Sequence, residues 1–152
     1  MSHAERPPVF RYRLAPLLRR GLWERDELKA EALRERHRAD EKERLQQVGG
    51  ERLSQAQAGM RELHRDDAAL SLETRRMAQL YLAQAYAAKA ALDAEAQAAQ
   101  RSLDEALARL DVQRVAVKAL ETHRERQRQT RDAAHGRAVQ RASDESWLLR
   151  RR

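Results

Sequence analysis

Five histidines, His3, His37, His64, His123 and His135, are the side chains of this 152-residue chain best suited to bind a metal ion or carry a proton near neutral pH. No two of them stand four residues apart and none lies in an HExxH frame, so a zinc site has little support and solvated helix positions are the plainer reading. Carboxylates are plentiful, 24 Asp and Glu in all. Acid and base work, however, needs a concave, desolvated pocket that drives two pKa values apart, and the thin pair of helices encoded here offers none. Cysteine is absent, which removes disulfides, thiol nucleophiles and cysteine-ligated metals. No Gly-rich phosphate loop and no nucleophile elbow occurs either. The expectation is a protein that is not an enzyme and holds no cofactor and no metal, so its function must come from contacts. Trp23 and Trp147 stand out in a sequence that is only 4% aromatic. Each reads first as packing and second as a binding hot spot, since Trp is enriched where partners dock.

The elements that position these side chains follow from composition. Charged residues make up 36% of the chain, and the apolar ones are mostly Ala and Leu, with few Gly and Pro. Such a sequence cannot fill a thick globular core but suits long helices, and its regular apolar stripe opposes disorder. No run of about 18 apolar residues is present for a membrane span, and the first residues lack the apolar centre of a secretory signal, so the cytoplasm is the expected compartment. The net charge of +7 is unevenly spread: residues 1–50 have a balance of +3, residues 51–120 carry 10 charges of each sign, and residues 121–152 have a balance of +4. In a chain that folds back on itself both basic segments meet at one end, which points to a localised anionic partner. Ordinary solubility charge on a solvated face is the alternative.

All three prolines, Pro7, Pro8 and Pro16, lie near the N-terminus. Residues 1–13 therefore read as an extended tail and Pro16 as a first-turn residue, after which nothing forbids helix. Two places could reverse the chain. Gly49-Gly50 permits a kink, at about 1 kcal/mol per Gly relative to Ala, whereas residues 64–71 offer Asp66, Asp67 and Ser71 as N-cap candidates before a new apolar pattern. The second place is preferred, because a turn at 49 would leave most of the second arm without a partner. The expected fold is all-α, a long antiparallel two-helix coiled-coil hairpin over 14–152, with a helix at about 14–64, a turn at about 65–71 and a helix at about 72–147.

Along the second arm, Ala78, Leu82, Ala85, Lys89, Leu92, Ala96, Ala99, Leu103, Ala106, Leu110, Gln113, Val117 and Leu120 alternate in steps of four and three, the spacing of a coiled-coil seam. Only Lys89 and Gln113 interrupt it. The first arm is rougher. Leu14, Leu18, Gly21, Leu28 and Ala32 share a register with Leu53, Ala56, Met60 and Leu63 across a polar gap from Arg34 to Arg44. Leu45 and Val48 fall out of step, as a stutter beside Gly49-Gly50 would make them. Past Leu120 the second arm's register becomes Arg124, Gln127 and Arg131, so the basic end is poorly packed by itself and open to completion by a partner.

The opening Phe10-Arg11-Tyr12-Arg13-Leu14-Ala15-Pro16-Leu17-Leu18, followed by a charged helix, resembles the start of FliJ-type flagellar export proteins and their type III secretion stalk relatives. The close, Asp144-Glu145-Ser146-Trp147-Leu148-Leu149-Arg150-Arg151, is similar to that family's ending. The resemblance implies a bacterial cytoplasmic stalk, peripheral to a membrane export apparatus, with its joined termini in the pore of a hexameric export ATPase. The ATPase-binding residues would be Leu14, Leu17, Leu18, Arg124, Arg128 and Arg131. Family members also touch the export gate protein through the flank of the coiled coil, which points here to Leu45, Val48, Tyr81, Leu82 and Ala85. Export chaperones are further candidate partners. The Ala-rich stretch around Tyr81 and Tyr86 departs from the bulkier family pattern.

Two other classes compete. A nucleic-acid binder would use the same basic ends, but Glu and Asp are mixed into them and interleaved aromatics are missing, so no nucleic-acid partner is expected. A generic or self-associating coiled-coil scaffold shares every feature except the terminal motifs.

Overall fold

Good helix formers and the absence of Pro after Pro16 let both arms stay helical. A computed structural model describes residues 10–65 and 71–149, in which α1 spans Ala15–Arg65 and α2 spans Leu72–Leu149. The two helices pack against each other as an antiparallel hairpin, as the heptad spacing predicts. Pro16 sits in the first turn of α1, where its missing N–H leaves no bond unmade. At the start of α2, Ser71 is the N-cap: its hydroxyl accepts the Thr74 N–H at 3.2 Å and its carbonyl accepts the Arg75 N–H at 3.2 Å. The other capping candidates, Asp66 and Asp67, lie outside the described residues, as does most of the N-terminal segment read as a tail.

Packing divides the chain into two units. Unit 1 joins Met1–Glu27 to Asp111–Arg152, and unit 2 is Leu28–Leu110. In unit 2 every α2 position of the series from Ala78 to Leu110 is buried or half-buried, with Ala106 at 0% and Leu110 at 2% exposure. The α1 side of this seam corrects the sequence reading. Leu28, Ala32, Glu35, Ala39, Lys42, Gln46, Gly49, Leu53, Ala56, Met60 and Leu63 keep the steps of four and three without a break, and all are buried or half-buried. No stutter exists. Leu45 and Val48, both exposed, lie off the seam, and Gly49 holds the seam position. The polar gap is filled by long side chains whose stems line the seam while their ends turn out to partners. Glu35 accepts from Arg38 at 3.0 Å, Lys42 pairs with Glu95 at 2.7 Å, and the Gln46 amide donates to Asp93 at 2.7 Å.

Both interruptions of the α2 seam lie against a glycine of α1. A Cβ on Gly49 would stand 2.5 Å from Leu92 Cδ1 and 3.6 Å from Lys89 Cδ, and one on Gly50 would stand 3.5 Å from Lys89 Cε. The glycine pair therefore makes room for Leu92 and the Lys89 stem, and the Lys89 ammonium reaches Asp93. Hydrogen bonds from Lys89 and then Gln46 hold the Asp93 carboxyl below its ordinary range, and the bond to Glu95 raises Lys42. In unit 1, the Gln113 amide donates to the Gly21 carbonyl at 3.0 Å and to Glu24 Oε2 at 3.3 Å, while a Cβ on Gly21 would press on Val117 Cγ2 at 3.3 Å. Glycine here admits a polar residue to the seam and exposes a helix carbonyl for it to bind.

Gly59 has nothing within 4 Å of such a Cβ. Gly59→Ala is accordingly expected to raise stability by about 0.5–1 kcal/mol through helix propensity. At Gly49 the same change forces Leu92 to move, and overpacking cancels the gain. Urea unfolding followed by far-ultraviolet circular dichroism checks the pair, and equal gains at both positions would contradict the close approach at Gly49.

Candidate functional site

Unit 1 sets the first turns of α1 beside the part of α2 where the apolar seam gives out. Its core is Tyr12, Leu18 and Val117, with Phe10, Ala15, Leu22 and Leu120 packed around them. Tyr12, 8% exposed, precedes α1 and starts it, since its carbonyl accepts the Ala15 N–H at 3.1 Å. The Tyr12 hydroxyl donates to the Leu120 carbonyl at 3.2 Å and stands 3.0 Å from His123 Nδ1. Both contacts are met when Nδ1 carries the imidazole proton and donates to the hydroxyl oxygen. The two rings lie 5.7 Å apart, tilted at 51°. One step further along, the Arg131 guanidinium lies over the Phe10 ring, 5.8 Å from its centre. Phe10, Arg11, His123, Arg126, Gln127 and Arg131, with Thr130, line a shallow open groove. Three arginines and two rings make this groove a basic, partly apolar surface.

The expected ATPase-binding residues divide here by burial. Leu18 is core at 5% exposure, whereas Leu14 and Leu17 are exposed. Arg124 and Arg128 are exposed and Arg131 is half-buried, and all three lie on one face of α2, in steps of four and three. Arg128 reaches Asp132 only at 3.8 Å. Beyond Arg131 every described residue of α2, 132–149, is exposed, including Val139, Trp147, Leu148 and Leu149. The charge follows the same division: residues 1–27 and 111–152 hold 17 Lys and Arg against 10 Asp and Glu, and residues 28–110 hold 14 of each. The whole +7 belongs to unit 1.

The expected gate-binding residues do not share one patch. Leu82 and Ala85 are half-buried seam residues, and Tyr81 is exposed beside a groove with Ala56, Gly59 and Met60. Leu45 and Val48 lie on the other helix. Cross-pairs such as Gln57 with Tyr86 and Gln46 with Asp93 put these two residues roughly 18 Å along the seam from the level of Tyr81, at about 1.5 Å per residue. In the sequence Phe10 and Tyr12 carry no legible role of their own, and nothing there marks Arg126 or the contact of His123. The signal is geometric: only the antiparallel packing of α1 on α2 brings Tyr12 to His123.

No protein-family model, curated protein or solved structure matches this chain. The hairpin is therefore established by the structure alone, and the large hydrophobic residues left exposed on it mark surfaces for partners. Among the described residues no helix is long and apolar enough to cross a membrane, and no group of three His, Asp or Glu is placed to hold a metal ion.

Proposed function

We propose that this chain is the stalk of a type III protein export ATPase, flagellar or virulence-type, which enters the hexameric ring with unit 1 and acts through contacts without a catalytic step. The observation that carries the reading is the segregation of the entire positive excess into the unit built from both chain ends. That unit is also where α2 continues beyond its packed seam and where the terminal segments resemble FliJ-type proteins. A stalk needs an end that a ring of other subunits can surround, and exposed arginines beside an unburied helix provide one. In this reading the chain works in the cytoplasm at an export apparatus, and the coiled-coil flank near Tyr81 meets the export gate protein or chaperones.

Purified export ATPase with and without this chain tests the proposal. Exchange of Arg124, Arg128 and Arg131 for Glu is expected to weaken stimulation about tenfold or more at low salt, while exchange of Arg52, Arg61 and Arg65 for Glu leaves it unchanged. The difference should narrow at high salt, because exposed charges further apart than about 10 Å are screened at 0.1 M. Equal stimulation by wild type and the terminal variant would remove the stalk reading. A coiled-coil scaffold would then stand first, supported by the uncharged outer face of α2 between 77 and 98.

A further inference from the structure

The outer face of α2 in unit 2 departs from the rest of this highly charged chain. Between 77 and 98 the ten positions turned furthest from the seam carry no charge: Met77 and Leu80 lie at one end, followed by six Ala and two Gln, all exposed. Met77 is 63% and Leu80 55% exposed. Helix propensity does not account for this face, because Lys, Arg, Glu and Gln form helix nearly as well as Ala. The outer positions of α1 in the same unit use such residues, among them Glu41, Arg44, Glu51, Arg61 and Glu62.

The face is complementary to itself. Seven-residue steps place Glu73, Leu80, Ala87, Ala94 and Arg101 in one row along its middle. Two copies laid antiparallel about a two-fold axis at Ala87 bring Leu80 of each against Ala94 of the other, large against small. The same operation sets Glu73 of each opposite Arg101 of the other, so the uncharged stretch is closed at both ends by opposite charges. A parallel pairing would oppose Glu73 to Glu73 and Leu80 to Leu80. Small side chains at the centre let two helix axes approach to about 8 Å.

We propose that this face is the interface of an antiparallel dimer of the chain, centred on Ala87 and registered by Glu73 and Arg101. At about 1.5 Å per residue the face is roughly 33 Å long and one helix wide. It buries on the order of 800 Å² in total, below the usual size of a permanent interface, so the dimer forms and dissociates with concentration. The interface uses unit 2 alone and does not rest on the stalk reading.

Sedimentation velocity of the full chain, from low micromolar to submillimolar concentration, is expected to show a reversible monomer–dimer equilibrium. Ala87→Arg should weaken it about tenfold or more, with unchanged helix content because the position is exposed. Glu73→Arg and Arg101→Glu should each weaken it, and the two together should restore it. A wild-type chain that stays monomeric throughout, or a dimer indifferent to Ala87→Arg, overturns the proposal. Failure of the double exchange to restore association overturns the antiparallel register. Stimulation of the export ATPase by Ala87→Arg should equal that of wild type, which keeps this result separate from the stalk test.

Discussion

Leu110→Ala is expected to remove about 2–4 kcal/mol from the unfolding free energy, the largest loss that any single truncation in unit 2 brings. Leu110 is 2% exposed and clusters with Ala32 and Ala106, with Leu28 packed alongside. Two of those neighbours are alanines, so the surroundings cannot swing into the space and the cavity term is felt almost in full. The opposite error is costly at the same place. Ala106 is 0% exposed, and Ala106→Leu should cost about 1–3 kcal/mol by forcing the helices apart. Against a total stability of about 5–15 kcal/mol for an ordinary domain, either change should shift the urea midpoint of the circular dichroism transition well below that of wild type. A loss below about 1 kcal/mol for Leu110→Ala would mean that this seam is not the core.

Tyr12→Ala is expected to cost about 3 kcal/mol and to act on unit 1 first, because the ring is the centre of the cluster that holds Leu18 and Val117 together. Hydrogen exchange separates this from a global effect. Amides of 15–27 and 111–125 should exchange about a hundredfold faster while those of unit 2 keep their protection, since local opening follows the local packing. Tyr12→Phe keeps the ring and loses only the contacts with the Leu120 carbonyl and His123, so about 1 kcal/mol should go. If Tyr12→Ala raised exchange equally in both units, the two would not open separately.

The α2 seam is legible in the sequence because Leu, Val and Ala mark most of its positions and the spacing excludes other periods. The α1 seam is not, for two physical reasons. A hydropathy pattern scores the charged end of Glu35 or Lys42, whereas the seam uses the aliphatic stem and leaves the end to reach Arg38 or Glu95. Glycine likewise reads as a break, yet Gly49 keeps its turn of helix and serves as a socket for Leu92. What looks like a stutter in one chain segment is a fit between two.

By itself the sequence determined that this is a helical, cysteine-free chain, that α2 carries a heptad stripe, and that the stripe turns polar at Arg124, Gln127 and Arg131. Those properties are local, set by side-chain type and helical spacing within one segment. Only the tertiary structure decided which α1 residues face which α2 residues, and therefore that Tyr12 meets Leu120 and His123 and that Lys89 lies over Gly49-Gly50. Register between two helices depends on the length and path of the turn and on the fit of each knob into its hole, quantities that belong to the pair and are written in neither helix alone.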